Sequence, residues 1–137
     1  MDYKKYIGSI RDFPIEGITY RDIQPLLAND IVFHSVIKDM AKLIKEVPDY
    51  WIALESRGFL FASALSIEFG GGVRLIRKKG KLGNNRLLSV DYGLEYGKDS
   101  FEMAYLPELD LGKVVIVDDV YATGGTMKAA EGLCEKL

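Results

Sequence analysis

Apolar positions change their spacing several times along this chain, and each change predicts an element. Tyr3, Tyr6, Ile7 and Ile10 recur at helical spacing and predict a short amphipathic helix over 2–11, ended by Pro14. Phe13-Pro14 and Glu16-Gly17 mark irregular chain. Val32, Val36, Ile37, Met40, Leu43, Ile44 and Val47 form a stripe, with Lys38, Asp39, Lys42 and Lys45 facing water. This predicts a helix capped by Asn29 or Asp30, running to about Glu46 and broken at Pro48. Trp51–Leu54 reads as a short buried strand and Phe59–Phe69 as a largely apolar helix packed on a sheet, terminated by Gly70-Gly71-Gly72. Val73–Ile76 reads as another strand. Arg86–Tyr92 and Ser100–Tyr105 have strand-like content, and 107–112 reads as a loop. Val114–Val117 lacks polar alternation, which predicts a strand buried on both faces, and a helical pattern follows it. Strands alternating with helices imply an α/β fold: a mostly parallel twisted sheet flanked by helices.

Three strand ends carry candidate chemistry. After Val117 come Asp118 and Asp119, then Ala122-Thr123-Gly124-Gly125-Thr126. Carboxylates at the carboxyl end of a strand suit sugar hydroxyls or Mg²⁺. Glycines permit close approach, Thr123 and Thr126 bring hydroxyls, and Thr126 is placed to cap the next helix. Free N–H groups at a helix start suit phosphate. The stretch reads as a seat for a phosphorylated sugar, and no Lys follows the glycines as a Walker-type loop requires. Ser56-Arg57-Gly58 follows the Trp51–Leu54 strand. Two readings stay open there: an anion held by Arg57 and helix N–H groups, or Ser56 as a cap beside a solvated Arg57. Arg77-Lys78-Lys79-Gly80-Lys81 puts four cations in five residues after a third strand, which favours an anion site with a diphosphate as natural partner. Tyr20-Arg21 could stack on a planar ring and read its edge, though locally Tyr20 packing on the domain edge with Arg21 paired to Asp22 is favoured. Tyr92–Asp99 is open between a mobile flap that excludes water and an ordinary hairpin.

Composition narrows the classes. A chain of 137 residues is one domain, and 48% hydrophobic with 28% charged content is ordinary for a globular fold. A net charge of −2 gives no global case for nucleic acid. One cysteine, Cys134, excludes an internal disulfide and reads as a small buried hydrophobe. His34 is the only histidine, so a zinc site has no support and His34 is a surface or packing residue. No signal-peptide core or membrane-length apolar run is present, so a cytoplasmic protein is expected.

The stretch Val114–Thr126 resembles the fingerprint of the phosphoribosyltransferases that use phosphoribosyl pyrophosphate (PRPP). Phe13-Pro14, Gly17, Tyr20-Arg21-Asp22-Ile23, Glu55-Ser56-Arg57-Gly58-Phe59, Ile76–Leu82 and Leu94-Glu95-Tyr96-Gly97 extend the likeness, in order, to the adenine branch of that type I family. The resemblance implies a single domain over 1–137, with an N-terminal base-binding hood over about 1–28, a core over about 29–137 and a flexible flap. It implies that Asp118 and Asp119 hold the ribose, and that Ala122, Thr123, Gly124, Gly125 and Thr126 hold the 5′-phosphate. Ser56, Arg57 and Gly58 form the pyrophosphate loop, whose Glu55–Ser56 peptide is often cis in relatives. Arg77, Lys78 and Lys81 meet pyrophosphate, in part across a dimer interface. Thr19, Tyr20 and Arg21 line the base pocket, Glu95 protonates the base and Tyr96 is the adjacent flap aromatic. The implied activity joins adenine to PRPP, giving AMP and pyrophosphate, with Glu95 and Arg57 catalytic. Mg²⁺ is held mainly by PRPP, with Asp118 and Asp119 reached through water. A homodimer is implied, without nucleic-acid or membrane partners.

Two rivals remain at this point: transfer to another purine such as xanthine or hypoxanthine, and a non-catalytic PRPP-binding regulator. The flap acid Glu95 and the absence of a DNA-binding appendage disfavour the regulator. The sequence ends at Leu137, inside the helix after the PRPP motif, where family members continue through another strand and helix. The motif strand is therefore expected to have an unpaired edge.

Overall fold

The structure, a computed structural model, describes residues 1–83, 86–94 and 97–137; the expected flap residues Glu95 and Tyr96 lie outside the described residues. Two compact units divide the chain, Met1–Lys45 and Glu46–Leu137.

In the first unit the helix expected over 2–11 is replaced by a 3-10 turn at Tyr3–Tyr6 and a strand β1 (Gly8–Arg11). β1 pairs antiparallel with β2 (Thr19–Asp22), Ile10 opposite Tyr20. An isolated helix of that length is marginal, and a partner strand supplies the hydrogen bonds that local periodicity cannot foresee. The Phe13–Pro14 peptide between the strands is cis. A one-turn helix α1 (Gln24–Leu27) leads to α2 (Asp30–Ala41). Asn29 caps α2, its Oδ1 accepting the Val32 N–H at 3.1 Å. The helix stops five residues short of the expected Glu46, because its last turn tightens: Leu43 N–H donates to Met40 O and Ile44 N–H to Ala41 O. Ile23, Leu26, Val32 and Ile37 form the buried positions of this unit.

The second unit is built on a five-stranded sheet. Its strands are β3 (Tyr50–Leu54), β4 (Gly72–Lys78), β5 (Leu87–Leu94), β6 (Gly97–Ala104) and β7 (Val114–Val117), in the order β5-β6-β4-β3-β7. β3 pairs parallel with both β4 and β7, while β5 and β6 form an antiparallel hairpin whose β6 pairs antiparallel with β4. The sheet is thus mixed: parallel where the three motif-bearing strands lie, antiparallel along the hairpin. Helix α3 (Gly58–Phe69) packs on β3, β4 and β7, and α4 (Gly125–Cys134) on β5, β6 and β7. Ile52 and Leu54 alternate with Trp51 and Ala53 along β3, so all four are fully buried between layers. Under α4, Ala130 and Leu133 meet Ile52, Leu54, Ile76, Phe101 and Met103. Each large apolar side chain buried there contributes about 1.5–3 kcal/mol. Cys134 is partly buried against this cluster, and burial pushes its thiol above the ordinary range.

β7 has the unpaired edge expected of the motif strand but not the expected burial. Three of the four β7 residues are only half-buried, because β7 ends the sheet order with β3 as its single neighbour. Its apolar run is that of an edge strand rather than one buried on both faces. No described helix is long and apolar enough to cross a membrane.

Candidate active site

The carboxyl ends of β3, β4 and β7 lie side by side because these strands are parallel and adjacent. Ligands in open α/β sheets bind at such ends, where neighbouring connections diverge. Here they surround a cleft of about 350 Å³. Ser56 and Arg57 reach it from β3, Lys78 from β4, and Asp118, Asp119, Ala122, Thr123, Gly124 and Thr126 from β7. Nine of the positions singled out in the sequence therefore share one wall.

Geometry at the β7 end is set by close backbone approach. An ideal Cβ on Gly58 would lie 2.6 Å from the Val117 carbonyl oxygen and 3.3 Å from the Asp118 Cα. Only glycine lets the start of α3 sit against the end of β7. Gly124 has φ 83°, the left-handed region, and serves as the N-terminal boundary of α4. This places Gly125 and Thr126 inside the helix, so Thr126 is not its cap. Gly125 N–H instead contacts Thr123 Oγ1 at 3.4 Å, and the Tyr121 phenol lies over Gly124.

The acidic pair is electrostatically tense. Arg57 Nε lies 2.8 Å from Asp119 Oδ2, an ion pair joining the β3 and β7 loops. That oxygen is buried, and the guanidinium contact is not aligned as a hydrogen bond. Asp119 N–H donates to Asp118 Oδ1 at 2.9 Å. Burial pushes the Asp118 carboxyl up to about 6; the neighbouring Asp119 side chain adds to the rise, and the Asp119 N–H and Arg57 oppose it. Two carboxylates, one with an oxygen lacking an aligned donor, suit a hard cation that keeps most of its ligands elsewhere. Among the described residues no cluster of three metal-ligating side chains exists.

The loop after β4 is held from below. Arg77 donates to Glu55 through Nε at 3.3 Å and Nη2 at 3.2 Å, and through Nη1 to Lys81 O at 3.1 Å. Its guanidinium also lies 5.8 Å from the Phe59 ring centre. Lys78 N–H donates to Glu55 Oε2 at 2.8 Å. Burial would raise the Glu55 carboxyl, but the Lys78 N–H and the Arg77 guanidinium outweigh it and hold Glu55 below the ordinary range. Lys78 Nζ pairs with Asp99 at 3.1 Å, and the Glu55–Ser56 peptide is cis, as the resemblance implied.

Sequence reasoning missed three contributors. Tyr92 and Phe101 line the cleft from the hairpin, their rings 4.5 Å apart. Burial, with Asp99 beside it, pushes the Tyr92 hydroxyl up to about 12. Glu55 is the third; it stands 22 residues from Arg77 in the chain, and only the pairing of Leu54 with Ile76 brings the two together. Thr19, Tyr20 and Arg21 belong to the first unit, on β2. There Tyr20 stacks edge-on with Phe13, ring centres 5.3 Å apart, and Arg21 donates to Ser9 Oγ on the neighbouring strand.

Known proteins share this architecture. The family described as the phosphoribosyl transferase domain matches residues 23–136. Adenine phosphoribosyltransferase from Carboxydothermus hydrogenoformans is 48% identical over 139 residues, spanning 100% of this chain and 81% of that protein. The crystal structure of the enzyme of that name from Thermoanaerobacter pseudethanolicus superposes with a TM-score of 0.92 at 43% identity, over 99% of this chain and 79% of that one. The Saccharomyces cerevisiae enzyme, solved with an imino-altritol bisphosphate and adenine, gives a TM-score of 0.88 at 36% identity, over 99% and 80%. Matched over residues 23–136 by that family and 48% identical to one of these enzymes across its whole length, the chain belongs to the adenine phosphoribosyltransferase family.

Proposed function

We propose that this chain transfers the 5-phosphoribosyl group of PRPP to adenine, releasing pyrophosphate and forming AMP. The observation that carries the proposal is the single cleft in which Arg57, Lys78, the Asp118–Asp119 pair and the 122–126 turn face one another. Cations beside carboxylates and a phosphate-binding turn match a sugar that bears phosphate at one end and diphosphate at the other.

In this reading Asp118 and Asp119 accept hydrogen bonds from the ribose hydroxyls. The turn Ala122–Thr126 takes the 5′-phosphate through N–H groups and hydroxyls. An adenine nitrogen attacks the anomeric carbon as the bond to the diphosphate oxygen breaks and that oxygen keeps the electron pair. Positive charge grows on the sugar and negative charge on the leaving group. Ser56, Arg57 and Lys78 stabilise the latter, with Arg77 and Lys81 contributing from the same loop. Mg²⁺ would neutralise charge on the diphosphate, with Asp118 and Asp119 within reach directly or through water. Thr19, Tyr20 and Arg21 hold the base, Glu95 acts as general acid beside it, and Tyr96 closes the flap. A homodimer working in the cytoplasm completes the reading.

A steady-state assay with PRPP, Mg²⁺ and each of four purine bases tests this. Adenine consumption with AMP formation is expected. Turnover of xanthine or hypoxanthine without adenine would overturn the base assignment, and PRPP binding without turnover of any base would overturn the transfer itself.

A further inference from the structure

Glu55 is a carboxylate on the wall of a cleft whose ligand is expected to be strongly anionic. Such a placement is costly unless the charge is engaged. It is engaged three times: by Nε and Nη2 of Arg77 and by the Lys78 N–H. Arg77 in turn holds the far end of its own loop through Lys81 O. The loop has two further anchors on β6, since Gly80 N–H donates to the buried Glu102 carboxylate at 2.9 Å and Lys79 N–H to Ser100 O at 3.0 Å. A run of four cations would repel itself and splay; instead its backbone is fixed at four points. The guanidinium that looks in sequence like an anion ligand is thus committed to Glu55 and Lys81, while Lys78, its Nζ paired with Asp99 at 3.1 Å, is the cation of this loop on the cleft wall.

We propose that Glu55 is a positioning residue: through Arg77 and the Lys78 N–H it clamps the basic loop after β4 onto the end of β3, presenting Lys78 to the diphosphate. The inference rests on the phosphoribosyl-transfer reading above. It makes Arg77 a strut in the unliganded protein. It also explains why an acidic side chain stands beside an anion site. A loop backbone already fixed leaves only the Lys78 side chain to exchange Asp99 for the ligand, which lowers the reordering cost of binding.

The test compares wild type with Glu55→Gln, which keeps the shape and removes the charge. Binding of inorganic pyrophosphate with Mg²⁺ is read by calorimetry, and KM for PRPP and for adenine by steady-state assay. Pyrophosphate affinity should fall about tenfold and KM for PRPP rise to match, about 1.4 kcal/mol. KM for adenine should stay within about twofold. In a Glu55→Gln, Arg77→Met double variant the loss beyond Arg77→Met alone should be smaller than the loss Glu55→Gln causes in wild type, because the Arg77 contact is shared while the Lys78 N–H contact is not. Unchanged pyrophosphate affinity overturns the inference. So does an equal loss for both substrates accompanied by a lowered melting temperature, the signature of a merely structural role. Should Glu55→Gln fail to fold, Arg77→Lys removes the fork from the other side and is read the same way. Wild-type protein that binds pyrophosphate but turns over no purine refutes the transfer reading, while the calorimetric comparison still decides the role of Glu55. Wild-type protein that binds no pyrophosphate refutes both.

Discussion

Replacing Gly58 by alanine adds one methyl group at the most crowded point beneath the site. That methyl would stand 2.6 Å from the Val117 carbonyl oxygen, with both partners belonging to backbone. No side chain can rotate away, so α3 or the end of β7 must move by several tenths of an ångström. Overpacking of this kind costs about 1–3 kcal/mol. Alanine recovers about 0.5–1 kcal/mol because glycine loses more backbone freedom in a helix. The net loss should be about 0–2.5 kcal/mol. Unfolding a chain of 137 residues carries an entropy near 0.3 kcal/mol per kelvin, so the melting temperature should drop by up to about 9 °C. The displaced atoms carry Asp118, so kcat/KM for PRPP should fall at least about tenfold, given how steeply rates respond to misplacement. Gly132→Ala is the internal control: it lies inside α4 with nothing within 4 Å of its added methyl, and should raise the melting temperature by about 2–3 °C. Scanning calorimetry and steady-state kinetics on both variants decide the matter. A Gly58→Ala protein that melts at or above wild type with unchanged PRPP kinetics would refute the contact argument.

Two further outcomes follow from other contacts. Asp118 is shifted from its ordinary 3.8 to about 6, so the folded ligand-free protein holds a proton that the unfolded chain has released. This contribution to stability is complete below about pH 4 and lost as pH rises through about 6; urea unfolding across pH 4–7 should show it, and Asp118→Asn should flatten it. Asn29→Ala removes the acceptor for the Val32 N–H and should cost about 1 kcal/mol, read as a lower urea midpoint with unchanged slope.

The sequence revealed most where physics is local. Val114–Val117 could hardly be other than a strand, and the residues that follow Leu54 and Val117 were legible as turns at strand ends because small, charged and hydroxyl residues interrupt apolar runs there, whereas β4 runs two residues past the expected Ile76 because Arg77 and Lys78 pair with β6. What stayed hidden depends on distant pairing. β1 forms only because Thr19–Asp22 returns beside it, and helical spacing of Tyr3, Tyr6 and Ile7 says nothing about that return. Burial of β7 was overread because an apolar edge strand and an apolar central strand look alike in sequence. Glu55 could not be assigned to Arg77 from a separation of 22 residues, since only the parallel pairing of Leu54 with Ile76 makes them neighbours. The cap of α4 went to Gly124 rather than Thr126 because the turn needs a left-handed residue two positions before that hydroxyl.

The strand order also has a metric consequence. The chain visits β3, then β4, then β7, yet in space β3 stands between the other two. Adjacent strands are spaced about 4.8 Å apart, so the three loop starts are graduations on a ruler about 10 Å long. A ligand laid along it meets the basic loop, then Arg57, then the acidic pair, an order that the gene never spells. Pairings such as Ala53 with Val117 lock the graduations. Evolution can therefore recut the marks by changing loop residues, but it cannot stretch the scale without unzipping a strand.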